Sequence, residues 1–464
     1  MIPEAFMKRV FKIVAAVLAT LCAFSVTGAC DKKPSGDVTP DSKKYKATEE
    51  ELLAEYEATP YKEPVRGIFI TPRIKASASQ EKFDEEYAKV KAAGINMVAT
   101  YQEANAKKFL EKTLTACEKN GLKVILSMNR ITNEKQIDGI VKIVKVNNDH
   151  PAVIGYNLFD EPSADNFELL GKEYERVKEA AGPEKVVLIN FFPNYASAEQ
   201  CAVPAEGEDG LSYYQTYLKR YYDVAFSDIV SFDNYPYRAK QSNDVKNYAR
   251  MISNFCDIAK TASDHGLGAW GYVQCGEWAG TRTPNKEELR LLTNIHLLFG
   301  LKGYSYFLYV TPVDGETAEG FFQGMVTFDG EPTERYHNVH ETIKESNGMK
   351  GVYLDFDFKG LMYNSIDESW VENIPDYYNL KGFAGVKKIS SEGAVLAGCF
   401  EDANGRKGLY VVNCDTSLST PVTLTLSDIA KYKIWTPEGL SGMGADSEIQ
   451  LKPGPGAANF VIIE

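Results

Sequence analysis

The chain reads as an α/β protein, a (β/α)8 or TIM-type barrel followed by a small all-β sandwich. Three observations predict this. Short apolar runs alternate eight times with amphipathic stretches, the fourth and seventh runs end in acids, and beyond about residue 349 the texture changes to alternating strands and turns.

The elements follow in order. Lys8, Arg9 and Lys12 precede an apolar stretch over 13–26, and Gly28 and Ala29 stand directly before Cys30. That is the pattern of an export signal over 1–29, and the stretch is short for a bilayer core. The small residues before a lone cysteine resemble the lipid-attachment box of bacterial lipoproteins, with Thr27 where leucine is usual. The resemblance implies lipidation at Cys30 and a chain anchored in the cell envelope, touching the membrane only through that lipid. Residues 30–64 are rich in Lys, Asp, Glu, Pro and Thr, with a short helical stretch near 49–56, and read as a solvated tether.

Over 65–348 the apolar runs fall at 67–70, 95–99, 122–126, 153–159, 185–189, 228–232, 267–273 and 303–308. Amphipathic stretches separate them at 83–93, 106–120, 134–147, 166–181, 211–222, 245–263 and 286–299. Glycine follows helical stretches at Gly94 and Gly121, as a left-handed helix end requires. Eight strand and helix units over about 280 residues match a closed parallel barrel of roughly 250. The doubly wound rival lacks any G-x-G-x-x-G or P-loop string. The tyrosines at 213, 214, 217, 221 and 222 keep helical spacing and mark the core face of one helix. The long connection 193–228 is expected to shape one wall of a cleft.

Residues 349–464 are expected to form the sandwich, with a hairpin centred on Ala403, Asn404 and Gly405. Such a hairpin would pair Cys399 with about position 409, not with Cys414, so free, buried thiols are expected.

A formal net charge of −13 argues against a nucleic-acid partner, since phosphate binding needs concentrated Lys and Arg, and a neutral or weakly charged partner is expected instead. No CxxC pair marks a zinc site. His337 and His340 lie on a helix without companion ligands, and no G-x-S-x-G elbow appears, so neither metal nor cofactor is expected.

The chemistry concentrates at strand ends. The run from Val153 to Phe159 ends in Asp160, Glu161 and Pro162, and the seventh run leads to Glu277, about three βα units later. Both glutamates are therefore expected at one barrel mouth. Further phrases are Ser231-Phe232-Asp233-Asn234-Tyr235-Pro236-Tyr237, Gly276-Glu277-Trp278, and 328–336 leading into the last helix.

These residues resemble clan A of the glycoside hydrolases, whose barrels carry an acid/base glutamate after strand four and a nucleophile glutamate after strand seven. The resemblance covers the whole barrel. It implies retaining cleavage of a β-linked polysaccharide or oligosaccharide by a monomer, with Glu161 as acid/base and Glu277 as nucleophile. Beside it, Asp233, Tyr235, Trp278, Tyr101 and Tyr309 near strand ends are candidates for substrate contact, with ordinary barrel-mouth packing as the other reading, and Arg73 past the first strand either reaches the site or pairs with a helix acid.

One departure opens a second scheme. Asp160 stands where clan A enzymes have asparagine, and an adjacent Asp-Glu pair resembles hexosaminidases that use the substrate's 2-acetamido group as nucleophile. Asp160 would then orient that group, Glu161 would remain the acid, and Glu277 would only bind. A non-catalytic glycan-holding lipoprotein is the reading from outside enzymology, made less favourable by the cost of desolvating two acids.

Overall fold

Eight strands close into a parallel barrel, in sequence order, in the computed structural model of the protein, which describes residues 44–100, 106–239, 244–278, 280–317, 320–364 and 368–464. They are β1 (Val65–Phe69), β2 (Met97–Ala99), β3 (Lys123–Ser127), β4 (Val153–Asp160), β5 (Val186–Phe191), β6 (Ile229–Asp233), β7 (Gly268–Gln274) and β8 (Gly303–Phe307). Each coincides with one of the eight apolar runs. Strands such as β1, β5 and β6 are buried along their whole length, which is why they read as continuous apolar segments rather than as alternation.

The helices between them are α1 (Gln80–Ala92), α2 (Lys107–Lys119), α3 (Ile137–Asn147), α4 (Phe167–Ala181), α5 (Tyr213–Val224), α6 (Asp244–His265), α7 (Lys286–Leu298) and α8 (Glu334–Gly348). Side chains start them: Ser79 accepts from the Lys82 amide before α1, while Ser212 with Gln215 and Asn285 with Glu288 form capping boxes before α5 and α7. Gly94 (φ 90°) and Gly121 (φ 64°) end α1 and α2 in the left-handed region. A Cβ on Gly94 would also stand 2.7 Å from Ile343. On α5, Tyr214, Tyr217, Tyr221 and Tyr222 are buried, as their spacing predicts, whereas Tyr213 is half-buried and donates to the Ala196 carbonyl (3.0 Å).

At the N-terminal end of β6, Asp228 ties helix to barrel. Its carboxylate pairs with Lys178 (2.7 Å) and accepts from the Tyr174 hydroxyl (2.9 Å), both on α4, and from the Val187 amide of β5 (2.7 Å). Removing one partner of such a buried pair costs about 3–5 kcal/mol, because the other charge is then left uncompensated.

The chain divides into two compact units. One comprises residues 64–343 and 368–375. The other comprises 344–367, 376–464 and, among the described residues, 44–63. In the barrel unit Trp370 stacks on Tyr248 of α6, with centroids 4.2 Å apart, which explains why a segment so late in the chain belongs there.

The second unit is one antiparallel sheet built from β9 (Phe356–Tyr363), β10 (Val386–Ser391), β11 (Val395–Asp402), β12 (Lys407–Asn413), β13 (Val422–Thr436), β14 (Gly439–Leu451) and β15 (Ala458–Ile463). Pairing along β13 shifts between Thr425 and Ala430. The strand's two halves nonetheless feed one apolar cluster, with Leu424 and Leu426 from the first half and Ile434 from the second, so the sheet folds over its own core like a sandwich. Cys399 faces Leu409 across the 402–407 hairpin, and all six described cysteines are free and buried.

The tether expected over 30–64 is corrected for its described part. Thr48 and Glu51 cap a helix over Glu49–Ala58, Lys433 pairs with Glu55 at 2.7 Å, and Tyr45–Lys46 adds an edge strand to β14. Signal residues 1–29, Cys30 and the rest of the tether lie outside the described residues. Among the described residues no helix is long and apolar enough to cross a membrane.

Glu173 on α4 is fully buried, and neither of its carboxyl oxygens has a hydrogen-bond partner. Burial pushes its pKa up to about 8. The folded chain therefore holds this proton more tightly than the unfolded one, and stability is lost as pH rises from about 4.5 through 8. Calorimetric melting should find Glu173→Met similar to wild type near pH 4.5 and several degrees more stable at pH 9. A gap that did not widen with pH would contradict this account.

Candidate active site at the barrel mouth

The C-terminal end of β4 is not a regular strand. Asn157 pairs with Leu188, but the next aligned pair is Asp160 with Asn190, so β4 carries one residue more than β5. Such a bulge bends a strand and re-aims its side chains. Glu161 follows with φ 53°, a left-handed conformation that costs a non-glycine residue of order 1 kcal/mol, and its N–H donates to the Asn190 carbonyl (2.8 Å). Local backbone preference is overridden to aim two consecutive carboxylates into the barrel mouth.

Asn190 organises what lies around them. Its Nδ2 donates to Asp160 Oδ1 (3.2 Å) and to Asp233 Oδ1 (2.8 Å), and its Oδ1 accepts from the Ser231 hydroxyl (3.0 Å). One amide thus bridges the acids at the ends of β4 and β6. Asp233 is buried, and burial together with the charges of Glu161 and Asp160 raises its pKa well above the usual carboxylate range.

Burial also pushes Glu161 up to about 7, helped by the adjacent Asp160 charge and opposed by Arg130. Asp160 is raised by burial and held back by Asn190 and Arg130. Arg130 is fixed near both, donating from Nη2 to the Asp160 carbonyl (2.8 Å) and lying 4.7 Å over the Phe159 ring. The arrangement keeps one carboxyl, Glu161, poised to give or take a proton near neutral pH.

The acids line a cavity of about 240 Å³. Its other walls are aromatic: Phe69, Tyr235, Tyr272, Trp278 and Phe307. These rings pack on one another, with Tyr235 edge-on to Trp278 at 4.7 Å, Trp278 edge-on to Phe307 at 4.6 Å, and Phe69 stacked on Phe307 at 5.7 Å. Tyr195, from the long connection after β5, and Arg238 complete the lining. Apolar ring faces beside carboxylates suit a sugar, whose C–H face is apolar and whose edge is polar.

Of the residues expected from sequence, Asp160, Glu161, Asp233, Tyr235 and Trp278 meet in this cavity, and Glu277, Arg73 and Tyr309 are not among its lining residues. Strand β7 stops at Gln274, whose side-chain amide fastens the Tyr237 backbone, and the chain then leaves the barrel. Glu277 pairs its backbone with Gln323 (3.0 and 2.8 Å), and its carboxylate accepts from the Thr283 hydroxyl (3.3 Å), which in turn accepts from Arg335 Nε (3.2 Å).

Arg73 is exposed and lies 3.5 Å over Phe328, so its stem and charge are engaged elsewhere. Tyr309 is 1% exposed and offers no face for stacking. Tyr101 lies outside the described residues. Sequence reasoning missed Asn190, Tyr195, Arg130 and the aromatic walls Phe69, Tyr272 and Phe307. A polar Asn190 near the end of the otherwise apolar β5 was the one available signal. Among the described residues no group of three or more His, Cys, Asp or Glu is placed to hold a metal ion.

Removing the bridge should release both aspartates upward. In Asn190→Ala, carboxyl carbon shifts followed by NMR should show Asp160 and Asp233 titrating at higher pH than in wild type. Unchanged titration would show that the amide does not couple them.

No family model matches the chain, and no curated protein sequence matches it. The solved structures to which it is similar include three glycosidases. The β-galactosidase of the psychrophilic Marinomonas ef1 is 12% identical over 61% of this chain and 60% of that one, with a TM-score of 0.43. For the polyextremophilic β-galactosidase of the Antarctic haloarchaeon Halorubrum lacusprofundi the identity is 11%, over 62% and 58%, with a TM-score of 0.42. A β-glucuronidase from Ruminococcus gnavus is 11% identical over 61% and 49%, with a TM-score of 0.44. The chain thus spans three-fifths or less of each of these proteins, and identity this low extends no further than architecture.

Proposed function

We propose that this protein is a glycoside hydrolase that cleaves beside a sugar bearing a 2-acetamido group, with Glu161 as acid/base and Asp160 as the carboxylate that holds the acetamido N–H. The observation that carries this reading is that the β4 bulge and the left-handed Glu161 bring two adjacent carboxyls, Asp160 and Glu161, to the lining of one aromatic-walled cavity. A double displacement by Glu161 and Glu277 needs both carboxyls about 5 to 5.5 Å apart across one sugar bond. Substrate assistance needs only the adjacent pair.

In the first step Glu161 gives its proton to the glycosidic oxygen as the C1–O bond breaks, and the acetamido carbonyl oxygen bonds to C1. The ring so formed carries positive charge on nitrogen, which Asp160 stabilises by accepting the N–H. In the second step Glu161, now ionised, takes a proton from water. The water oxygen bonds to C1, the C1 bond to the acetamido oxygen opens, and configuration at C1 is retained. Glu161 must therefore start protonated and Asp160 ionised. A pKa of about 7 leaves Glu161 protonated through the acidic range. Asn190 and Arg130 both favour the ionised form of Asp160. The aromatic walls supply an apolar seat for the sugar face and the acetamido methyl. As part of this proposal, the export signal and Cys30 read from the sequence place the enzyme at the cell envelope through a lipid anchor.

Nitrophenyl glycosides of N-acetylglucosamine and N-acetylgalactosamine test the reading, against glucoside and galactoside controls that lack the acetamido group. Hydrolysis should be confined to the acetamido sugars. Glu161→Gln should lower kcat by about 10²–10⁴-fold, the usual span for removing a general acid. Asp160→Asn should be similarly impaired and rescued by neither azide nor formate. Azide rescue of Glu277→Gly would sink the scheme in favour of double displacement.

The pH dependence has a defined sign. Rate should fall as pH rises through about 7, where Glu161 loses the proton it must donate. Arg130 lowers the Glu161 pKa, so Arg130→Met should move that alkaline limb upward. A limb that stayed put would remove Arg130 from the account.

A further inference from the structure

The cavity holding the acids does not end there. On one side it shares Phe69 and Asp160 with a cavity of about 320 Å³, which shares Arg130 and Phe159 with one of about 520 Å³. On the other side it shares Tyr195, Tyr235 and Arg238 with a cavity of about 420 Å³. Shared lining residues make the four cavities neighbours in a row, with cavities on both sides of the carboxylates. A row of this kind offers places for adjacent units of a chain.

Charge is unevenly placed along it. The far cavity beyond Asp160 mixes Arg130 and Lys172 with Glu134, Asp165 and Glu168, and Lys172 there pairs with Glu134 (2.9 Å). The cavity on the Tyr235 side has two charged residues in its lining, Arg238 and Arg250, and no carboxylate. Among the described residues neither makes an ion pair, whereas Arg176, Arg220, Arg282 and Arg406 are matched with Asp138, Glu208, Glu288 and Asp402. The protein carries 64 acidic against 51 basic residues, so two arginines without carboxylates in one cavity are not the result of scarce acids.

Arg238 is held in place, and Arg250 is exposed beside it. The segment bearing Arg238 is fastened by the Ala239 N–H to the Gly280 carbonyl (2.8 Å), and its guanidinium lies 4.7 Å over the Tyr195 ring. The carbonyl of Arg250 accepts from Asn194 Nδ2 (3.0 Å). A planar guanidinium presents paired donors that match a carboxylate or sulfate. Arg238 lines both this cavity and that of the acids, so an anion bound here belongs to a unit next to the one being cleaved.

We infer that Arg238 and Arg250 form a subsite for a negatively charged sugar, a uronic acid or a sulfated unit, joined to the acetamido sugar at Asp160 and Glu161. The substrate is accordingly an acidic glycan chain cut internally. The chain substrate rests on the proposed function; the anion subsite stands on its own residues.

Calorimetric titration of the Glu161→Gln protein, which would leave ligands uncut, tests the inference with three tetrasaccharides: hyaluronan, chondroitin 4-sulfate and chitotetraose. The first two carry carboxylates, the second also sulfate, and the third is a neutral acetamido chain. At least one acidic chain should bind about tenfold more tightly than chitotetraose, the order expected of a partly solvated charge-assisted pair. Adding Arg238→Met and Arg250→Met should erase the difference. Comparison of the two acidic chains separates carboxylate from sulfate recognition.

Equal affinity for chitotetraose, a preference that survives both substitutions, or no binding by any of the three overturns the subsite. The underlying function fails differently. If Glu161→Gln still cleaved acetamido glycosides while the arginine-dependent preference persisted, the acid assignment would fall and the subsite would stand.

Discussion

The side-chain amide of Asn190 is the constraint on which the rest of the site depends. Three acids at one end of a barrel repel one another and lose hydration on burial, and either effect alone would drive protons onto all of them. By donating to Asp160 and Asp233 at once, Asn190 compensates part of that loss for two of the acids. Its own orientation is not free, because Ser231 fixes Oδ1 and so determines which end of the amide donates. The backbone carbonyl of the same residue accepts the Glu161 N–H, so the residue that opposes the upward shift of the aspartates also holds the strained glutamate. Glu161, where burial and the Asp160 charge outweigh Arg130, keeps the raised pKa that an acid catalyst needs.

The bulge on β4 and the left-handed Glu161 follow from the same demand. Successive residues of a regular strand face opposite ways, so an ordinary β4 would send only one of Asp160 and Glu161 toward the barrel axis. One extra residue in β4 and a positive φ at Glu161 turn both toward the cavity. Structure is less favourable locally so that two adjacent carboxyls share one space, which is where a stability cost and a chemical role are expected to coincide.

What could be read in advance divides along the range of the interactions. The eight strands were legible because a strand buried on both faces is a continuous apolar run, and the ends of α1 and α2 because Gly94 and Gly121 favour the left-handed region there. The facing of Cys399 and Leu409 followed from hairpin geometry alone. Counting residues to a strand end gave the height of Glu277 on the barrel but not its direction once the chain leaves β7. Gln274 ends β7 by fastening Tyr237, and the pairing of Glu277 with Gln323 is made to a residue distant in sequence. Asn190 and Arg130 act on acids 30 residues away, which no local pattern records. The helical stretch near 49–56 was legible, but its docking at Glu49–Ala58 was not, because none of its residues is fully buried; it is held by a lysine on Glu55 and by the Tyr56 ring against Trp435.

Net charge bears on how an acidic glycan would be recognised. A protein at −13 offers no long-range attraction to a polyanion, so association is not accelerated by steering. At physiological salt, however, exposed charges beyond about 8 Å are largely screened, and a ligand in the barrel-mouth cavities responds mainly to what lines them. On the Tyr235 side that is two arginines and no carboxylate. Discrimination for a charged sugar would then be expressed in how slowly it leaves, through short-range guanidinium contacts, rather than in how fast it arrives. Overall acidity, read from composition as evidence against nucleic acid, is therefore compatible with an anionic substrate, because the sign that matters is local to the cavities.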